Sequence, residues 1–230
     1  MRTDPFELPG QTAHLGRYRA GAARTLARLA EQNFSQRLWQ RDGSLWSADA
    51  AVQAKIRNRR GWLTSPENLE QDCVRIQQFV RGLQQAGFRH AILLGMGGSS
   101  MCPEVCCTTF GVARGYLDLL VLDTTDPTTI RAREQAVDLH RTLFIVSSKS
   151  GTTTETASLS KYFYERLRAV KGEAAGGNFI AITDAGSLLA QQASERKFRE
   201  CFLNPADIGG RFSALSFFGL VPAALVGIDV

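Results

Sequence analysis

Histidine is scarce in this 230-residue sequence: His14, His90 and His140 are its only three. They lie far apart without metal-ligand spacing, so a histidine-based metal centre is excluded. Long apolar runs are missing too. Nothing approaches the length of a membrane span, and the opening MRTDPFELPGQ lacks the apolar core of a signal peptide. The expectation is therefore no membrane and a cytoplasmic location. Blocks of like charge are absent as well. The formal charge is +5, from 27 Lys+Arg against 22 Asp+Glu, and arginines such as Arg17, Arg24, Arg28 and Arg37 are dispersed as on a solvated helix face. The group Arg57, Arg59 and Arg60 is too short to argue a nucleic-acid partner. A mild preference for small anions is what the excess suggests. Cysteine supplies no framework either. The five are an odd number, and Cys102, Cys106 and Cys107 crowd into CPEVCC with no second pair to complete a metal set. They are expected to be free core thiols, with Cys102 and Cys106 on one helix face.

What is present is the makeup of a globular chain, 44% hydrophobic and 21% charged, long enough for one core plus a helical appendage. Over 18–39, Tyr18, Ala22, Leu26, Leu29 and Ala30 recur at helical steps until RDGSLW turns the chain. In TSPENLE, Ser65 is placed to cap and Pro66 to open a helix over 66–85, stopped by Gly87. Trp39, Trp46 and Trp62 read as packing anchors. The rhythm then changes. AILLG (91–95), LLVLD (119–123), TLFIVS (142–147) and NFIAITD (178–184) are continuous apolar runs, with CFLN (201–204) a weaker fifth. Helix-length stretches at 102–111, 127–139, 154–170 and 187–197 separate them. Strands apolar throughout are covered on both faces. The fold class is thus α/β, a doubly wound parallel sheet of about five strands with helices on both faces. A helical N-terminal arm over 1–64 precedes that domain over 65–230.

In such sheets ligands bind beyond the carboxyl ends of the strands, where the oddest stretches fall. The first strand ends in GMGGSS, the second in DTTDPTT and the third in SSKSGTT. Glycines admit a ligand close to the backbone, and hydroxyls at a helix start suit phosphate. Taken alone, GMGGSS reads equally as a tight turn with a helix cap. It is no dinucleotide fingerprint, because Ser100 stands at the sixth place, although Asp123 mimics the ribose-binding acid of a nicotinamide-dependent oxidoreductase. No P-loop pattern occurs. In DIGGRFSALSFFG, Arg211 reads either as a surface residue flanking an apolar helix or as a fixed cation aimed at a site.

GMGGSS, SSKSGTTTET and DIGGRFSALSFFG together resemble the phosphoglucose isomerase family, built from sugar-isomerase (SIS), flavodoxin-like domains. QRDGSLW and RGWLTSP are similar to the isomerase half of bifunctional transaldolase/glucose-6-phosphate isomerase chains. The resemblance runs from about Leu38 to the end, and GGRFS is its specific part. It implies that Gly98 and Ser99 line a sugar-phosphate site. Ser148, Lys149, Ser150 and Thr153 would hold the phosphate, and Gly210 and Arg211 would lie near C1 and C2 of the sugar, with Arg211 stabilising negative charge. The implied reaction interconverts glucose 6-phosphate and fructose 6-phosphate through a cis-enediol, without metal or organic cofactor, in a homodimer. The family's glutamate base, its ring-opening histidine and a further lysine lie downstream, in a second SIS domain. No glutamate follows Arg211 here, and Glu155 sits in a first helical turn beside the anion it would repel. The expectation is a fragment that grips the phosphate without turning the sugar over. The alternative is a non-catalytic sugar-phosphate sensor.

Overall fold

The helical stretch over 18–39 is interrupted at Asn33, whose backbone is left-handed at φ 50°, a conformation asparagine tolerates better than most residues. The computed structural model describes residues 7–8 and 11–230; the stretch read for a leader lies largely outside them. Two compact units are present, Met1–Arg57 and Asn58–Val230. The first carries a short antiparallel pair, β1 (Glu7–Leu8) and β2 (Gln11–Thr12), then α1 (Arg19–Glu31), α2 (Phe34–Trp39) and α3 (Ala50–Arg57). RDGSLW forms the expected turn. Asp42 accepts hydrogen bonds from Ser44 N (2.9 Å) and Arg37 Nε (2.8 Å). Ser44 and Arg37 hold its carboxyl down at about 2. Trp39 and Trp46 are exposed rather than anchoring a core, and Trp46 meets Phe34 edge-on.

The second unit begins earlier than the expected start at 65, because 60–61 is already tied into it. Arg60 bridges Ile208, and Gly61 N donates to Asp207 O at 2.9 Å. The helix expected over 66–85 is two, α4 (Ser65–Asn68) and α5 (Glu70–Gln85). Ser65 does not cap: it is the first helical residue, buried, with no partner for its hydroxyl among the described residues. Gly87 does end the helix, at φ +81°.

Five strands follow: β3 (His90–Gly95), β4 (Asp118–Leu122), β5 (Thr142–Ser147), β6 (Phe179–Asp184) and β7 (Glu200–Asn204). All pair in parallel, in the order β4-β3-β5-β6-β7. Between them run α6 (Met101–Phe110), α7 (Pro127–Gln135), α8 (Thr154–Lys171) and α9 (Leu188–Glu195), with α10 (Phe217–Leu225) last. The helix α7 is shorter than 127–139; Asp126 caps its start, and a separate turn at Leu139–Arg141, capped by Asp138, feeds β5.

Strict alternation splits the apolar strand residues between two layers. Leu93, Leu143, Ile145, Ile180 and Ile182 pack under Ile76, Val80 and Leu83 of α5 and Phe218, Val221 and Leu225 of α10. On the other face Ile92, Leu94, Phe144, Val146 and Ala181 meet Leu159, Phe163 and Leu167 of α8 and Leu189 and Ala193 of α9. The strongly apolar α10 is therefore covered by the sheet of its own domain. Phe144 is the keystone of the second layer, fully buried and stacked on Phe163 (4.9 Å) and Phe179 (4.8 Å). Replacing it with alanine leaves a cavity between sheet and α8, and Phe144→Ala is expected to cost about 3–5 kcal/mol in urea unfolding, with Phe144→Leu costing less. Equal midpoints for wild type and Phe144→Ala would refute this packing.

Candidate functional site

The chain runs from β3 to β4 on one side and continues through β5, β6 and β7 on the other, so β3 and β5 flank the topological switch point. Ligands bind at that place in open α/β sheets. Their register sets Gly95 opposite Ser147, so the glycine loop and the hydroxyl loop emerge at the same height. The two loops are stitched together, since Ser147 Oγ donates to Ser99 O at 3.1 Å.

The glycine loop also meets GGRFS. A Cβ on Gly98 would collide with the carbonyl of Gly210, so only glycine allows the two backbones to lie this close. Ser213 holds the contact, its hydroxyl lying 2.6 Å from Gly210 O and 3.3 Å from Gly98 O. Ser216, at the start of α10, donates in turn to Ser213 O at 2.7 Å and accepts from Phe218 N. Trp62 of RGWLTSP stacks on Phe212 with ring centroids 5.4 Å apart. Two motifs far apart in sequence thus support one segment. Ser147, Ser213 and Trp62 are members of this arrangement that sequence reasoning did not assign to it; the serine of GGRFS was the available signal.

Within SSKSGTT, Ser148 N donates to Ile182 O at 3.0 Å, fastening the loop to β6. Ser148 Oγ accepts from Gly151 N and donates to Thr153 Oγ1, each at 3.2 Å. Gly151 sits at φ +69°, and a Cβ there would press on Leu189 N at 2.8 Å. Thr153 is the N-cap residue of α8 and makes no side-chain cap bond. The first-turn N–H groups of an 18-residue helix therefore open beside the Ser148 and Thr153 hydroxyls, with the positive end of its dipole. Ser150 is exposed and its hydroxyl pairs with Thr152 Oγ1 at 2.9 Å.

Lys149 departs from the expected role. Its ammonium lies 2.5 Å from Asp184 Oδ2 and 3.0 Å from Ala206 O, drawn away from the loop it was expected to serve. The Lys149 carbonyl accepts from Asp184 N at 3.1 Å. Asp184, the last residue of β6, thus grips both ends of the lysine, a contact that no nearby motif announced.

Arg211 is exposed, and no partner for its guanidinium is present among the described residues. It borders an open cavity of about 580 Å³ with Gly98, Gly210, Met101 and Cys102. Ser148, Lys149, Ser150 and Thr153 do not line that cavity. The glycine loop connects the two places, touching Ser147 through Ser99 and abutting Gly210 through Gly98. The thiols of CPEVCC are half-buried, not core residues. Of the three, only Cys107 packs against the apolar layer, while Cys102 lies on the cavity side of α6.

A sequence model of the phosphoglucose isomerase family matches residues 26–230. The glucose-6-phosphate isomerase of Thermus thermophilus is 33% identical over 175 residues, covering 74% of this chain and 40% of that protein. The enzyme of that name from Campylobacter jejuni is 34% identical over 153 residues, covering 66% of this chain and 37% of that one. A crystal structure of a hypothetical protein from Thermus thermophilus superposes with a TM-score of 0.71 at 28% identity, over 93% of this chain and 48% of that one. A glucose-6-phosphate isomerase from Chlamydia trachomatis superposes with a TM-score of 0.62 at 25% identity, over 83% and 34%. The chain thus spans about 40% of the length of the Thermus enzyme. Since the family match takes in both rim loops and the GGRFS segment, the chain belongs to the phosphoglucose isomerase family.

Proposed function

We propose that this chain is the phosphate-gripping part of a glucose-6-phosphate isomerase. The observation that carries the reading is the abutment of Gly98 on Gly210, which joins the hydroxyl loop, through Ser99, to the segment bearing Arg211. The phosphate of glucose 6-phosphate or fructose 6-phosphate would sit at the start of α8. There the Ser148 and Thr153 hydroxyls, with Ser150 at the edge, donate together with helix N–H groups. The Lys149 ammonium takes no part; its engagement by Asp184 holds the loop in shape. The sugar carbons would extend past Gly98 and Ser99 towards Gly210. Arg211, with an unengaged guanidinium, would stabilise the oxygen charge that develops as the cis-enediol forms.

Moving the proton between C2 and C1 requires a carboxylate within reach of the carbon-bound hydrogen. No glutamate follows Arg211 in this sequence, and Glu155 in the first turn of α8 would repel the phosphate. The base is therefore assigned to the part of the full-length protein that this chain does not span. A homodimer, fusion to a transaldolase and a cytoplasmic setting belong to the same proposal for that longer protein. A purely regulatory sugar-phosphate module is disfavoured by Arg211, which binding the phosphate does not require.

Titration calorimetry of this chain with 6-phosphogluconate should give one site, with no turnover in a coupled isomerase assay. Thr153→Val and Ser148→Ala should each weaken binding about 10- to 100-fold, since hydrogen bonds to charged groups are worth about 1.5–3 kcal/mol. Undiminished binding in both variants would remove the phosphate from this loop. Lys149→Met should lower the melting temperature while leaving affinity nearly intact; a loss as large as that of Thr153→Val would mean that the ammonium turns to the ligand. In a full-length enzyme, Arg211→Ala should reduce kcat about 100- to 1000-fold with a small change in KM. Equal effects on both parameters would make Arg211 a binding residue only.

A further inference from the structure

Two thiols on α6 are brought together outside the phosphate-gripping machinery. Cys102 and Cys106 are one helical turn apart, both half-buried, with their Sγ atoms 4.0 Å from each other. Cys102 and Val105 also line the cavity that Arg211 borders. Cys107 is turned to the apolar layer instead.

One soft atom can bridge such a pair. Two bonds of about 2.3 Å, the usual length from sulfur to zinc, span that separation at an angle of roughly 120°. Yet no set of three or more metal-binding side chains is present among the described residues, so an ion that wants four protein ligands is left short. Burial, reinforced by Cys106, pushes the Cys102 thiol up to about 11, which keeps it protonated at neutral pH. The ligand class that suits two adjacent thiols and no third donor is trivalent arsenic already carrying one carbon group. With phenylarsine oxide, two As–S bonds form as the As–O bonds break. Both thiol protons leave with the oxygen as one water, and arsenic stays trivalent, so no oxidant is consumed. The phenyl ring has apolar neighbours in Met101 and Val105, which are 64% and 58% exposed.

We propose that Cys102 and Cys106 form a dithiol site for monosubstituted trivalent arsenicals at the edge of the Arg211 cavity. This site is independent of the isomerase reading.

The test is intact-protein and peptide mass spectrometry after adding equimolar phenylarsine oxide to the 230-residue chain. One phenylarsenic group should be gained, mapped as a bridge between Cys102 and Cys106. It should withstand excess glutathione and be removed by 2,3-dimercaptopropanol. Cys102→Ser and Cys106→Ser should each lose the glutathione-resistant adduct, while Cys73→Ser keeps it. No adduct on the unaltered protein, a bridge that includes Cys107, or a resistant adduct surviving in either of the first two variants would overturn the proposal. The mapping on unaltered protein decides the matter even where a variant folds poorly.

Discussion

The pairing of β3 with β5 is the constraint on which the rim of the sheet depends. Leu94 lies against Val146 and Gly95 against Ser147, so two loops with no sequence proximity leave the sheet side by side. Both strands are buried on both faces, with alternate residues assigned to different helix layers. A slip of one residue would send Phe144 into the α5–α10 layer and Ile145 into the α8 layer, exchanging side chains of unlike volume. The register is therefore held by the whole core, and the loops inherit their alignment from it.

Upon that alignment rests a chain of contacts made by main-chain atoms and small side chains. Ser147 reaches Ser99, Gly98 abuts Gly210, Ser213 clasps both glycine carbonyls, and Ser216 clasps Ser213. Each contact is short-ranged and directional, and together they connect the hydroxyl loop to Arg211 without any long side chain whose rotamers would need freezing. RGW stiffens the far side through the Trp62–Phe212 stack.

The charges follow a similar division. Lys149, the cation within the hydroxyl loop, is paired with Asp184 and tied to Ala206. What remains at the loop is a helix start and hydroxyls, an arrangement that suits an anion by direction and number of donors. Arg211 keeps its donors unengaged at the cavity. A cation with free donors at the cavity and neutral donors at the helix start thus stand at separate places on the rim.

Much of this was legible beforehand because it is local. Continuous apolar runs announced buried parallel strands, and Gly87 marked a helix end where a residue without Cβ adopts positive φ easily. The hydroxyl-rich loop, the glycine loop and GGRFS were visible as strings, and their place beyond the strand ends followed from the parallel topology. What stayed hidden is non-local or decided by competition. The left-handed Asn33, the place of Ser65 inside its helix and the early end of α7 before the Asp138 cap are outcomes of competition between local alternatives. The diversion of Lys149 needed Asp184, and the clasp of Ser213 needed Gly98, each partner brought near only by folding. The amino-acid order by itself determined which segments are strands and which loops could hold an anion, since these follow from periodicity and residue chemistry. Only the tertiary structure decided which of those side chains still have donors to offer, because a hydrogen bond already made to a distant residue leaves no trace in the local sequence.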